Sequence, residues 1–431
     1  MKIKTYFKDQ LARRTYVCGY NWLGDPWTPL SQPFTRLERT RTVSLMTTCL
    51  CVLAEKKLTT LSELVNAEHD GVRYVGYRAG DSDEQQLAEC DVAIHKGAYD
   101  AAVMAEDIEA ARRWKVLQHL SARSALLEPL ERVAVFADRG AMCQALSQLA
   151  PLVQQPRFAL LCQGPATAAC AAARGLAYPL VCKPVAACGP SGHRLAVVMR
   201  EQGLQELCEG QHRAVLALPM VVQEFVPHAG LVIKGYGVGT LRHTRLKPSI
   251  PHFEARADGP AIMFFDSQKP LDAVASQSFG GSGGDSCGGG DGGDGGDGGG
   301  DDGSGCGDCG GGAVVTATAA AAAAAATTAA TAASTATAAT DEAALLARSA
   351  EVHAIVTAIS AHMGVALVGV DVLVAPDGRC LVVDINHLSG APHSVPGFTS
   401  ALTELVKQRV VSRRAAAAQI PAPAPPEVLQ T

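Results

Sequence analysis

The sequence predicts an α/β fold, and three observations carry that reading. Short apolar or β-branched runs alternate with segments of helical period from Val43 onward. Several of those runs end in, or enclose, a lysine. The last two form a hairpin, residues 368–390, that carries Asp371, Asp384 and Asn386.

Val43 to Leu53 reads as the opening strand, with Glu55-Lys56-Lys57 directly after it, at the end where open α/β sheets bind ligands. A helix is expected over Leu61 to Glu68. Strands follow at Tyr74 to Tyr77 and at Cys90 to Lys96, the second again ending in basic residues. Two strands ending in basic groups predict an anion site at one sheet edge, although solvated lysines at strand ends read the same way. Helices are expected over Ala101 to Ser121, Asp138 to Leu149 and Ala168 to Arg174, with a strand at Phe158 to Cys162. Tyr178 to Pro184 is an apolar strand ending in Lys183. The small-residue stretch Ala187 to His193 follows as a flap whose backbone N–H groups could meet phosphates. It is not a P-loop, because no helix-opening Gly-Lys-Ser or Gly-Lys-Thr follows.

Further strands are Leu195 to Met199, Met220 to Val226, Ile233 to Gly239, Arg242 to Ser249 and Ile262 to Ser267. Lys234 sits inside an apolar run, so it needs a charged partner or an anionic ligand. Arg242, Arg245 and Lys247 alternate with other residues along their strand. Asp341 to Met363 is an amphipathic helix leading into the acidic hairpin, and residues 399–412 form a last helix.

The hairpin turns at Ala375-Pro376-Asp377-Gly378. Side chains alternate along a strand, so Asp384 and Asn386 share a face. Whether Asp371 joins them depends on register. Carboxylates and a carboxamide suit Mg²⁺, which takes its remaining ligands from water and phosphates. Taken alone, the hairpin reads equally well as a surface hairpin with scattered acids.

At 431 residues the chain has room for two or three domains. The apolar fraction of 48% is inflated by an alanine tract. The net charge of −5 comes from seven Asp within 273–340, a stretch without Lys or Arg. The remainder is near neutral and gives no sign of nucleic-acid binding. The 14 cysteines are scattered through apolar and glycine-rich segments and read as reduced thiols of a cytoplasmic protein. Cys306-x-x-Cys309 has no second pair at zinc-ligand spacing. No membrane span is evident. Residues 1–41 are basic and aromatic and read as a disordered extension, with organelle targeting as the alternative. Residues 273–340, Gly/Asp-rich and then Ala/Thr-rich, read as a disordered insertion, and 413–431 as a disordered Ala/Pro tail.

Lysine-bearing strands (Lys183, Lys234, Lys247), a glycine-rich flap and an acidic hairpin together suit nucleoside triphosphate chemistry. In order along the chain stand Ala54-Glu55-Lys56-Lys57, Ile94-His95-Lys96, Asp138-Arg139, Tyr178 to Lys183 and Gly189 to His193. Val221 to His228, Lys234, Lys247-Pro248-Ser249 and Asp384-Ile385-Asn386 complete the series. With these segments the sequence resembles the inositol-tetrakisphosphate 1-kinase (inositol 1,3,4-trisphosphate 5/6-kinase) family, from about Val52 to Leu405 with one break at the insertion.

The resemblance implies an ATP-grasp fold: an N-terminal α/β (pre-ATP-grasp) domain over 42–135, a central subdomain over 136–228, and a C-terminal subdomain over 229–412 holding the insertion. The two α+β subdomains would clamp ATP. It implies a monomeric, Mg²⁺-dependent kinase with an inositol polyphosphate and ATP as its partners. ATP would be held by Arg139, Lys183, Gln223, Glu224, Phe225, Val226, Ser249 and Ser267. Two Mg²⁺ ions would be held by Asp371, Asp384 and Asn386, with Asp384 bridging. The inositol phosphate would be held by Lys57, His193, Lys234, Asn386 and Gly390. Lys234, Lys247 and Asp384 would serve transfer of the phosphoryl group.

The pattern departs from the family at four places. Cys188 stands where animal members have His, Ala134 where they have Arg, and Lys247 where Arg is usual. Leu388-Ser389-Gly390-Ala391 replaces Phe-Pro-Gly-Tyr. Arg132 or Arg139 is expected to compensate for Ala134. Two other readings share parts of this site: an ATP-grasp carboxylate–amine ligase, and a non-catalytic inositol phosphate sensor.

Overall fold

Three sheets, each built around a different strand pattern, position the site. The computed structural model describes residues 46–80, 83–162, 173, 175–228, 230–250, 259–267, 342–388 and 395–419. All fall within one unit, Met46–Thr431. The expectations for 1–41, 273–340 and the helix at 168–174 therefore lie outside the described residues.

The first sheet has the order β2-β3-β1-β4, formed by β1 (Thr47–Val52), β2 (Glu68–His69), β3 (Val72–Gly76) and β4 (Val92–His95). β1 is parallel to β3 and to β4 and is buried along its whole length, as a central parallel strand should be. Its side chains alternate between two cores. Leu50 and Val52 meet Leu117 and Leu120 of helix α4 (Ile108–Ala122). Cys49 and Cys51 face Leu402 and Val406 of helix α9 (Phe398–Ala418).

The helix expected at 61–68 forms earlier, as α1 (Glu55–Thr60), because the Ala54 carbonyl accepts the Lys57 and Leu58 N–H groups directly after β1. Leu61 and Leu64 are buried as expected of that apolar period, but from turns. After α2 (Asp83–Glu89) the expected helix 101–121 divides into α3 (Gly97–Val103) and α4. The Asp107 side chain caps α4 by accepting from Glu109 N and Ala110 N at 2.9 and 3.0 Å.

A helical turn α5 (Leu130–Val133), a 3₁₀ turn at Ala134–Ala137 and α6 (Arg139–Ser147) lead to the second sheet. It is antiparallel, of order β11-β7-β6-β8-β5. Its strands are β5 (Phe158–Leu161), β6 (Leu180–Pro184), β7 (Arg194–Val198), β8 (Met220–Glu224) and β11 (Ile262–Asp266). α7 (Glu201–Cys208) covers one face through Leu204 and Leu207. The C-terminal range 229–412 does not keep β11 to itself, since β11 pairs with β7 of the central sheet.

The third sheet is antiparallel, of order β10-β9-β12-β13. It contains β9 (Leu231–Val238), β10 (Leu241–Pro248), β12 (Leu367–Val374) and β13 (Cys380–His387). Helix α8 (Ser349–Met363) lies close on one face. A Cβ on Gly235 would stand 2.7 Å from Val356 Cγ2 and 2.8 Å from Val352 Cγ1, so only glycine allows this approach. α8 starts later than the expected Asp341; residues 342–346 form a separate helical turn. α9 runs to Ala418, past the expected end at 412, so 413–418 belongs to a helix and not to the tail. It packs on the first sheet while its Phe398 and Leu402 also meet Tyr236 and Val238 of the third.

Candidate functional site

The hairpin turns where the sequence places it, with Gly378 N donating to Ala375 O at 2.8 Å and Gly378 at φ +83°. Asp371 stands directly opposite Asp384, so the two carboxylates share a face. Asn386, two residues on, lies opposite Gly369 on that face and donates from Nδ2 to Asp384 Oδ2 at 3.1 Å. Past Asp371 the register shifts, so that Val372 pairs with Val382 and Val383 is an extra residue. This β-bulge aims the Val383 carbonyl at the second sheet, where Lys183 Nζ donates to it at 2.8 Å.

Lys183, Val221 and Gln223 lie on the same face of the second sheet. With Arg139, Met142, Cys143 and Leu146 of α6 and Val382 to Ile385 of β13, they line a cleft of about 280 Å³, open to solvent. Burial pushes the Lys183 ammonium down from its ordinary range, and the Asp384 carboxylate works against that. Arg139 uses its guanidinium as a clasp: Nη1 donates to Pro184 O and Ala186 O, and Nη2 to Gly192 O, at 2.9 to 3.1 Å. It thus ties the end of β6 to the flap. Arg132 does not take the place of an arginine at Ala134, since its side chain lies against Gly364 at the end of α8.

At the end of β8 the chain can offer only backbone from some of the expected hinge. Glu224 is turned to Arg157, whose Nε donates at 2.9 Å, and to Ala177 N at 2.6 Å. Gln223 is buried against Cys143 Sγ at 3.7 Å. Phe225 N donates to Pro179 O, and Val226 O accepts from His228 Nδ1 at 2.7 Å. That bond leaves His228 Nε2 to meet Ser249 Oγ at 3.0 Å. Ser267 stands with His193 instead, its N–H on His193 O at 3.0 Å, so the two serines lie on separate elements of the cleft.

Beyond the carboxylates lies a cluster of cations. Lys234 is directly opposite Asp371 and donates to its Oδ1 at 2.7 Å; burial opposes its charge, but Asp371 outweighs that and raises its pKa. Lys57 is brought down to about 8, first by burial and then by repulsion from Lys96 and Lys234. Lys96 is lowered by burial too, with Lys234 adding to the effect. Three ammonium groups thus converge beside Asp371. Lys247 is on the same face of the sheet but exposed, at the outer strand β10. Gly390 lies outside the described residues.

Lys96 is a site residue that the ordered motifs contain but that received no role; its signal was the basic end of β4. A second was missed altogether. His387, next to Asn386, is buried and bonds through Nε2 to Glu128 Oε2. Glu128 Oε1 accepts Ala366 N and Leu367 N at 2.6 and 3.0 Å, and its carbonyl meets His95 Nε2 at 2.8 Å. Burial would raise the Glu128 carboxyl, but His387 and those N–H groups hold it low. Glu128 therefore joins the end of β4, before Lys96, through its backbone carbonyl, to the start of β12 and the end of β13 through its carboxylate. Cys188 is half-buried beside Lys96, and burial raises its thiol despite that cation.

Two sheets facing each other across a cleft, with a lysine on one and paired carboxylates on the other, define the ATP-grasp class. Residues 150–278 match the family described as the inositol 1,3,4-trisphosphate 5/6-kinase ATP-grasp domain. The resemblance read from the sequence is borne out by that match. It is 26% identical over 192 residues to an inositol-tetrakisphosphate 1-kinase of Xenopus laevis, covering 41% of this chain and 45% of the relative. It is 27% identical over 166 residues to inositol-tetrakisphosphate 1-kinase 1 of Zea mays, covering 36% and 46%. The chain thus spans under half the length of these curated relatives. Among solved structures it is similar to D-alanine–D-alanine ligase from Bacillus anthracis, 11% identical, with 86% and 99% coverage and a TM-score of 0.46. A likeness of that size adds nothing to the assignment.

Proposed function

We propose that this chain is a Mg²⁺-dependent kinase that transfers the ATP γ-phosphate to a hydroxyl of an inositol polyphosphate. The acceptors are inositol 3,4,5,6-tetrakisphosphate at its 1-position and inositol 1,3,4-trisphosphate at its 5- or 6-position. The observation that carries this reading is the cluster of Lys57, Lys96 and Lys234 beside the Asp371–Asp384 pair. Crowded, partly buried ammonium groups are costly without a dense anion, and an inositol polyphosphate is one.

The acidic face suits a divalent cation by its chemistry. Asp371 and Asp384 offer hard oxygens from directly opposed positions, and Asn386 adds an amide within reach of Asp384. No third His, Cys, Asp or Glu joins them among the described residues, which leaves phosphate oxygens and water as further ligands. Asp371, Asp384 and Asn386 would hold the Mg²⁺, two ions in this reading. When bound, they neutralise phosphate charge and align the γ-phosphoryl group.

The chain's own residues do the rest. Lys183 takes the ATP phosphates, and the backbone of Gln223, Glu224, Phe225 and Val226 reads the adenine. Ser249, held by His228, and Ser267 bind the nucleotide, while Arg139 fixes the flap that closes over it. Lys57, Lys96, His193, Asn386 and Gly390 bind the acceptor. Lys234 stands between acceptor and metal face, and Lys247 stabilises charge on the transferring group. Transfer through a loose transition state relies on this positioning and charge more than on a strong base. In this reading the chain is a cytoplasmic monomer, and the free thiols of the described cysteines suit a reducing compartment. No described helix is long and apolar enough to cross a membrane.

ADP release tests the reading. With Mg-ATP, either inositol phosphate should stimulate it, and mixtures of amino acids should not. Stimulation by an amino acid pair alone would identify a carboxylate–amine ligase, and acceptor binding without ADP release a sensor.

A further inference from the structure

The outer strand β10 splits its cations between two faces. Arg242 turns to α8, donating from Nε to Thr357 Oγ1 at 2.9 Å, and Thr244 follows it, donating to Ser349 Oγ at 2.8 Å. The alternate residues His243, Arg245 and Lys247 therefore point the other way, toward the face of Lys234. Among them Arg245 is paired directly with Lys234, and Lys234 with Asp371, and Asp371 with Asp384. Four charged side chains thus form one row across four strands, with the carboxylates at one end and Arg245 at the other. Adjacent members of such a row are about 5 Å apart, so Arg245 lies roughly 10 Å from the Asp371 position.

Its guanidinium carbon stands 5.5 Å from the centroid of the Tyr236 ring, which is buried on the same face. An aromatic face supports an arginine without neutralising it, and a planar guanidinium suits a phosphate. Arg245 is itself half-buried, so an anion there would be partly shielded from water.

We propose that Arg245 forms a further phosphate-binding position of the acceptor site, on the side of Lys234 away from the metal carboxylates. This rests on the inositol phosphate kinase reading and deepens it. An acceptor whose phosphates reach from Lys234 to β10 is held at both, so Arg245 favours the more highly phosphorylated of two acceptors. The bond it supplies is made equally in the bound acceptor and during transfer, because it lies remote from the reacting phosphoryl group. It therefore acts on KM and not on kcat.

The test compares wild type with Arg245→Gln, which keeps a side chain over Tyr236, and with Arg245→Lys, which keeps the charge. Arg245→Gln should raise KM for inositol 3,4,5,6-tetrakisphosphate by roughly 10- to 100-fold, the size of one charge-assisted hydrogen bond. KM for the 1,3,4-trisphosphate should rise less, with kcat and KM for ATP unchanged and Arg245→Lys restoring part of the loss. An unchanged KM for both acceptors, or an equal rise for ATP, would overturn the proposal. Calorimetric titration of inositol hexakisphosphate without ATP separates this from the activity itself. Wild type that binds the probe, and Arg245→Gln that binds it more weakly, support the site even where no turnover is seen. Equal binding by both proteins rejects Arg245 while leaving the kinase reading intact, and no binding by wild type rejects both.

Discussion

Lys57 is the residue whose environment most directly exposes the purpose of the cleft. Its pKa falls from 10.5 to about 8, because burial and two neighbouring lysines disfavour the charge. The sign follows from proton linkage: below about pH 8 folding carries the full cost of that charge. Between about 8 and 10.5 the unfolded chain binds more protons, so this contribution to stability grows as pH rises. Anion binding runs the opposite way, since it needs the ammonium. We expect kcat/KM for the acceptor to fall as pH rises through about 8, as a pH profile would reveal. Lys57→Arg should carry that limb to higher pH, and a profile identical to wild type would show that Lys57 does not control it. Asp384→Asn, which removes a charge from the metal face while keeping its shape, should lower kcat by at least about 10²-fold with the fold intact.

At the scale of elements, the hairpin was legible from its Ala-Pro-Asp-Gly turn and from the two-residue spacing of Asp384 and Asn386. The convergence of Asp371 was not, because it rests on the hairpin register that sets Asp371 opposite Asp384, and its bond to Lys234 spans 137 positions of sequence. Nor was the bulge at Val383 legible, since no local residue type requires it. The long helix expected at 101–121 failed for a readable reason: Asp107 can cap a new helix, and the apolar period concealed that break. Two predictions belong here. Glu128→Ala should destabilise the protein by about 3–5 kcal/mol in chemical denaturation, because it strips His387 and two backbone N–H groups of their partner at once. Gly235→Ala should cost about 1–3 kcal/mol, since α8 cannot withdraw freely, and a second change, Val356→Ala, should recover part of it.

For the whole molecule, the chain order of short motifs was a better guide than any single motif. Each piece recurs in unrelated proteins, whereas the series from Lys57 to Asn386 needs one fold to bring its members together. What composition and order cannot supply is the assignment of elements to sheets. β11 lies in sequence between strands of the third sheet yet joins the second, and α9 follows the third sheet yet packs on the first. Lys96 gained its place only when Lys57 and Lys234 were seen to converge with it. The Gly/Asp and Ala/Thr stretch, by contrast, has few side chains with which to build a core. Replacing 273–340 with a short linker should leave the melting temperature and kcat nearly unchanged, as a long loop adds little closure entropy. A loss of folding on that replacement would mean that the stretch packs.

Transfer of phosphate from ATP to an inositol phosphate across the face shared by Asp371, Asp384 and Lys234 can be measured directly. The measurement is chromatography of the products formed from ATP carrying a radiolabelled γ-phosphate, Mg²⁺ and inositol 3,4,5,6-tetrakisphosphate. Wild type should yield a labelled pentakisphosphate, and Asp384→Asn should yield little or none. Label that remains in ATP or appears only as free phosphate with wild type, over a range of pH, would contradict it.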